Sequence, residues 1–347
     1  MDDRRRPGAA ARQQEDAVSE LLEPVWASLR RTDRPQAAAL AAALPPPWRA
    51  VAAAWVAYDL GVHPPGASIE AEGWLGAAAA ALATTDPVAQ ESFWTRAYHA
   101  VGDDHRAAYE VHALRARTRH QRGAYGPALV DARAARAHAR AMADGGREAW
   151  ALSAAGAALV ELRDYARARA VHEAASALHT AHGQPGGEVA SLGGLGLCAL
   201  GRHETARGAE SLHRAVAMAR ALGLSPEERA WLRCVAHAMT LLDRNDARRE
   251  ALVRLAALEE AADAPLRAAA AWIDAATAAT SILALDDAEH DLKQAEACYA
   301  AMPHPQGLLD VGSRRAALDA LRAALPARRA RWTEAVTLRA PPPPHEA

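Results

Sequence analysis

At 347 residues with a formal net charge of −2, the chain carries no overall field that would draw it to nucleic acid or to an anionic membrane surface. Its hydrophobic fraction of 51% is ample for a core, but much of it is Ala and only 5% of the residues are aromatic. Lys occurs once, at Lys293, against abundant Arg, Ala, Gly and Pro, a bias that a GC-rich genome gives. The three cysteines, Cys198, Cys234 and Cys298, lie far apart with no CxxC pair. That spacing excludes a disulfide scaffold and a zinc ribbon and leaves them as buried reduced thiols.

In chain order, the opening MDDRRRPGAAARQQED lacks the apolar run of a signal peptide, and no later stretch is long and uncharged enough to span a membrane. The expected location is the cytoplasm. Residues 1–13 read as a disordered polar tail in which Asp2 and Asp3 offset Arg4, Arg5 and Arg6. A helix fits 14–31, a second fits 34–44, and Pro45-Pro46-Pro47 opens a third through Tyr58. Trp48 and Trp55 stand in this pair where later segments carry small residues, so 14–67 reads as a helical cap or degenerate end repeat.

From 68 to 302, about five helix pairs alternate with short breaks. Asp86-Pro87 has the form of an N-cap followed by a first-turn proline, and Ser225-Pro226-Glu227-Glu228 has the form of a capping box. Gly183 and Gly223 fall where helix-terminating glycines belong. No alternating β-branched run reads as a strand. Beyond Pro303, helices fit 308–325 and about 327–339, giving a C-terminal cap over 303–340, and 341–347 with its proline run reads as a frayed tail.

Within the helical block, small residues recur about every forty positions: Gly76, Ala116, Gly156, Gly194, Ala236 and Ala276. A break follows each by about nine residues, at Thr85, Tyr125, Tyr165, His203, Asn245 and Leu285, and a second small series lies at Ala128, Ala168, Ala206, Ala247 and Ala288. A fixed period of this size predicts stacked structural repeats. Gly inside a helix costs about 1 kcal/mol against Ala, so Gly156 and Gly194 predict close helix packing.

The segments 122–137, 162–177 and 200–215 resemble the second half of tetratricopeptide repeats (TPRs), with a Tyr at the turn and Ala recurring three and ten residues into the second helix. Ala128, Ala168, Ala206 and Ala288 take the first Ala place, and Ala135, Ala175 and Ala295 the second. Ala215 then falls two residues late, which implies a longer second helix there, and Val88 and Arg248 are poor matches at the first Ala place. The resemblance covers about 68–302. It implies an all-α, right-handed superhelical solenoid of antiparallel helix pairs that serves as an interaction scaffold. The long repeat is similar to the sensor regions of large bacterial transcription activators and of peptide-responsive regulators.

Chemistry is mostly excluded by residue type. Lys293 lies in DLKQAEA without the glycines of a phosphate-binding loop and reads as an exposed helical residue unsuited to a Schiff base, and no GxSxG, HExxH or GxGxxG unit is present. Fifteen histidines invite a metal reading, yet His179 with His182, and Asp286 and Asp287 with His290, each lack a third ligand at a repeatable spacing. A helix-turn-helix over 34–60 fails on its prolines and its few basic residues. The nine tryptophans, at helical positions, read as core. No nucleophile, base and orienter assemble, so neither an enzyme nor a cofactor is expected.

The TPR resemblance implies a groove lined by the first helix of each pair. Its residues here are Arg117, His120, Trp150, Ser153, Glu161, Ser191, Arg233, His237, Thr240, Thr277 and Thr280. The Lys and Asn of the family's carboxylate clamp are missing from these positions, which argues against a chaperone-tail adaptor. Arg117 and Arg233 present planar forks, so the expected partner is a protein or peptide with an acidic or C-terminal segment. Two functions follow: a binding scaffold, or a regulatory sensor whose solenoid responds to a small ligand or peptide and acts on a separate DNA-binding or signalling partner.

Overall fold

The computed structural model describes residues 9–46, 48–60, 73–302 and 304–339, with side chains from residue 20 to residue 327. Residues 1–8 of the tail expected over 1–13, the tail expected over 341–347, and the repeat start expected at 68–72 lie outside the described residues. The described chain is helical throughout, in sixteen helices with no strand among the described residues. They are α1 (Ala9–Arg30), α2 (Arg34–Ala43), α3 (Trp48–Asp59), α4 (Gly73–Ala83), α5 (Pro87–Ala100), α6 (His105–Gln121), α7 (Tyr125–Ala141) and α8 (Gly145–Glu161). Then come α9 (Tyr165–Ala181), α10 (Pro185–Gly201), α11 (Thr205–Ala221), α12 (Ser225–Leu241), α13 (Asn245–Glu260), α14 (Pro265–Ser281), α15 (Leu285–Ala301) and α16 (Pro305–Arg339). None of them is long and apolar enough to cross a membrane.

Two compact units divide the chain, the first ending at Trp231 and the second beginning at Leu232. In unit 1, α1, α2 and α3 pack on one another and on α4 around a tryptophan cluster. The Trp26 ring lies 6.2 Å from that of Trp55 and 6.1 Å from that of Trp74, with Leu22, Val25 and Val51 filling the space around them. Beyond them α6 packs on α7, α7 on α8, α8 on α9, and so on to α11, while α6 also meets α8 and α8 meets α10. Helices A (α6, α8, α10) therefore stand side by side with helices B between them, as small residues at the crossings allow. In unit 2, α13, α14, α15 and α16 pack in succession around Leu252, Leu255, Trp272, Ala276, Ala288 and Leu292.

The register is tighter than the sequence suggested. Helices A begin at His105, Gly145, Pro185, Ser225 and Pro265, and helices B at Tyr125, Tyr165, Thr205, Asn245 and Leu285, each series in steps of forty. Counting from Gly73 there are six A and six B helices, where the sequence suggested about five pairs. Gly76, Ala116, Gly156, Ala236 and Ala276 are all buried on A helices. Gly194 and Ala206, however, are each two residues out of step. Gly196 and Gly208 take their places, and Ala206 is exposed. The Gly196 and Gly208 backbones touch: a Cβ on Gly196 would lie 3.1 Å from the Gly208 carbonyl oxygen, and one on Gly208 would lie 3.0 Å from that of Gly196. Ala215 is thus in register and fully buried, and α11 has the same 17 residues as α9 rather than a longer span. The cluster Gly193-Gly194-Gly196 hid the step, since any of the three satisfies a search for a small residue.

From α6 to α15 each turn closes the same way. A residue two or three past the helix end takes a left-handed conformation at Gly123, Arg163, His203, Asp243 and Leu283, and again at Ala143, Gly183, Gly223 and Asp263. The following N–H reaches back five residues, as from Asp164 to the Leu159 carbonyl at 2.9 Å, the mark of a Schellman cap. Asp86 caps α5 through Val88 N–H at 3.1 Å and Ala89 N–H at 3.3 Å, as its sequence implies. Val88, by contrast, is exposed, and the buried Gln90 holds the first small-residue place, donating to the Ala81 carbonyl at 2.7 Å. Ser225 is the first helical residue of α12 rather than its cap, and Glu227 and Glu228 pair with Arg34 and Arg220. At the ends, α1 begins at Ala9 instead of residue 14, and α16 runs unbroken through Pro326 instead of splitting in two, giving up one intrahelical bond at the proline.

Candidate functional site

Two cavities bring predicted residues together, each within one unit. The cavity of unit 1, about 460 Å³, lies between the face of α6 and α8 and the helices α1, α2 and α3. Arg117, His120, Trp150 and Ser153 line it, joined by Trp26, Trp55, Tyr58 and Tyr109. Its size lies in the range of sites that accept a small molecule or a few side chains.

The charges around this cavity are paired within its own wall. Arg34 donates to both Glu227 oxygens at 3.1 and 2.6 Å and to Asp59 at 2.9 Å. Arg117 donates to Asp59 at 3.1 Å, with its guanidinium 4.7 Å above the Tyr58 ring. Burial pushes the Tyr58 hydroxyl up to about 12. Arg30 reaches the buried Glu110 at 3.3 Å and also pairs with Glu23. Arg147 bonds Glu110 at 3.3 Å, Glu23 at 2.6 Å and Asp144 at 2.6 Å. Burial raises the Glu110 carboxyl above its ordinary value, and Arg147 and Arg30 oppose that shift. Trp150 donates its indole N–H to the Arg30 carbonyl at 3.2 Å. Two buried polar atoms of the lining have no hydrogen-bond partner among the described residues: Trp55 Nε1 and His120 Nε2.

Ser153 and Ser191 belong to a buried polar chain. Gln184 Oε1 lies 2.8 Å from His179 Nδ1, His179 Nε2 2.9 Å from Ser153 Oγ, and Ser153 Oγ 3.5 Å from Ser191 Oγ. Ser191 has no exposed surface, so it packs inside unit 1 rather than on a groove. Glu161 is exposed at the end of α8 and lines neither cavity.

The cavity of unit 2, about 430 Å³, takes Arg233, His237 and Thr240 from α12, Arg248 and Glu259 from α13, and Arg267 and Asp274 from α14. Arg233 is held by the buried Glu259. Thr277 and Thr280 line neither cavity; their hydroxyls donate back along α14 to Ile273 and Ala276 at 2.9 and 2.8 Å, and Arg314 donates to Thr277 at 3.2 Å. Sequence reasoning missed the contribution of α1, α2 and α3 to the first cavity. The signal lies in Trp26, Trp48 and Trp55, an aromatic density unlike the Ala-rich repeats.

Among the described residues no group of three His, Cys, Asp or Glu side chains gathers at metal-binding distance. Burial pushes the Cys198 and Cys298 thiols up to about 11 and raises that of Cys234, so all three are protonated at neutral pH and weak as nucleophiles.

No protein-family model matches the sequence, and no curated protein matches it. Among solved structures, the chain is similar to a Rap protein complexed with competence and sporulation factor, at a TM-score of 0.59 and 11% identity over 89% of this chain and 99% of that one. It is similar to aspartyl phosphate phosphatase F from Bacillus subtilis, at 0.54 and 12% over 88% and 94%. It is also similar to an ATPase with a tetratricopeptide repeat sensor from Pyrococcus horikoshii, at 0.53 and 12% over 81% of this chain and 42% of that one. The fold is of the TPR type. At these identities the likeness speaks for an all-α helical solenoid and for nothing finer.

Proposed function

We propose that this is a non-enzymatic peptide- or protein-binding TPR scaffold of the bacterial cytoplasm, with repeats over 68–302 between caps at 14–67 and 303–340. Its ligand is taken on the faces of the A helices. The observation that carries this reading is the unit 1 cavity, where four residues expected on a groove, Trp150 among them, meet four further aromatic rings: Trp26, Trp55, Tyr58 and Tyr109. Because Arg30, Arg34 and Arg117 are matched there by Glu110, Asp59 and Glu227, the cavity suits an apolar or aromatic side chain better than a charged one. The acidic or C-terminal character expected of the ligand therefore rests on the arginines of unit 2.

The test is selection of peptides from a displayed random library on the full chain, followed by rebinding to Ala154→Trp, which fills the cavity from α8, and to the outer-face pair Arg167→Ala with Arg169→Ala. Selected peptides should carry aromatic anchors, lose binding to the first variant and keep it with the second. Equal losses, or none, would reject the cavity as the site. A second reading, a regulatory sensor, is favoured by one feature. The α1–α3 wall is joined to the repeats by Arg30–Glu110, Arg147–Glu23 and Arg34–Glu227, so an occupant touches both elements. A selected peptide that changes protease protection of α1–α3 would support it.

A further inference from the structure

The cup of unit 2 departs from the repeat in one residue. Arg248 is the fourth residue of α13, and the fourth residues of α7, α9, α11 and α15 are Ala128, Ala168, Gly208 and Ala288. Those four places are buried and small, letting the B helix close on its neighbours. Here a half-buried arginine lines a cavity of about 430 Å³ instead, its side chain with no hydrogen-bond or ion-pair partner among the described residues. Partial desolvation of a charge is unfavourable unless a counter-ion compensates it.

The cup is otherwise charged in a defined way. Glu259, 1% exposed, is bracketed by Arg233 and by Arg267 at 3.2 Å, and Asp274 lies on the exposed wall of α14. Three guanidiniums against two carboxylates leave one positive charge, and the arginine without a partner is Arg248. We infer that this cup binds a carboxylate from an acidic segment of a partner polypeptide, with Arg248 taking it as a two-pronged fork. One carboxylate neutralises the cup. A phosphate dianion would leave it negative beside the buried Glu259, so a carboxylate is the better match. His237 adds a ring at the same wall that can donate to the second oxygen.

The assignment rests on the reading of the chain as a peptide-binding protein, and the test separates the two. Isothermal titration of the full chain would use an acetylated, amidated peptide of four glutamates, its four-glutamine counterpart and inorganic phosphate. The proteins would be the natural chain, Arg248→Gln, Arg267→Gln and the cavity-filling Ala154→Trp. The glutamate peptide should bind, weaken as salt is raised, and bind Arg248→Gln about tenfold or more weakly, the loss of one charge-assisted contact. Arg267→Gln, changed at an exposed side chain, should bind less tightly by a smaller factor even if Arg248→Gln proves unstable, and Ala154→Trp should bind as the natural chain does. No binding, binding unchanged in both arginine variants, or phosphate binding as tightly as the peptide would overturn the assignment. A failure confined to the library-selected peptides would instead count against the unit 1 cavity and leave the cup standing.

Discussion

His172 offers a pH test of the packing in unit 1. It is the eighth residue of α9, where α7, α11, α13 and α15 carry the buried Ala132, Leu212, Leu252 and Leu292. Its ring fills the space left by two glycines: a Cβ on Gly156 of α8 would lie 2.7 Å from the ring, and one on Gly194 of α10 would also overlap it. The side chain is 2% exposed, and neither ring nitrogen has a hydrogen-bond partner among the described residues. Burial alone pushes its pKa down to about 4. In the unfolded chain the ring takes its proton near 6.5. Above that pH both states are neutral and the full stability is present. As pH falls from about 6.5 towards 4, only the unfolded chain binds the proton and stability is lost; below 4 the loss levels off. At pH 5 the difference amounts to about 2 kcal/mol, or about thirtyfold in the opening equilibrium.

The perturbation is His172→Leu, which restores the residue that three other B helices carry at this place. Hydrogen–deuterium exchange of peptides spanning α8 to α10, measured at pH 7.5 and pH 5.0 and corrected for intrinsic rates, reads the local opening energy. The natural chain should lose about thirtyfold protection on acidification beyond what the variant loses. The variant should keep a residual loss, because burial also lowers the pKa of His179 on the same helix. At pH 7.5 the variant should be at least as well protected, since two unsatisfied nitrogens are removed from the interior. Equal losses in the two proteins, or a His172 ring proton resonance titrating near 6.5, would refute the reasoning.

Other positions give smaller tests by chemical denaturation. Gly208→Ala should cost about 1–3 kcal/mol, because its Cβ meets Leu200 at 2.7 Å and the Gly196 carbonyl at 3.0 Å and the two backbones have no room to part. Gly312→Ala, inside α16 with nothing within 4 Å of the new atom, should stabilise unit 2 by about 0.5–1 kcal/mol; a loss would mean that α16 is not helical there. Leu283→Gly, at φ 59° with its side chain exposed, should gain up to about 1 kcal/mol by relieving the left-handed strain, and no gain would question the Schellman turn. Arg147→Met should cost about 3 kcal/mol and expose α1 to limited proteolysis, because the buried Glu110, whose charge burial already disfavours, loses a guanidinium that compensates it.

What the sequence made legible was whatever is repeated. Helix starts, turns and crossings recur every forty residues, so each was weighed several times by the same physics, and a local ambiguity at Gly193, Gly194 and Gly196 moved one repeat by two places without disturbing the fold. Of the residues expected on a groove, Arg117, His120, Trp150 and Ser153 lie together in one cavity, and Arg233, His237 and Thr240 in another. The role of α1–α3 was not legible, because ion pairs such as Arg34–Glu227, 193 residues apart, leave no periodic trace. Periodicity reports what every repeat needs for closing a helix pair, and so it is silent on a ligand that only one repeat meets. The departures from it are where such information lies. His172 replaces a core leucine, and two glycines answer it across the helix crossing, so that departure is compensated inside the protein. Arg248 replaces a small residue, and no side chain among the described residues answers it. A substitution compensated from within belongs to the fold; one left open towards a cavity points outward, to what the cavity is for.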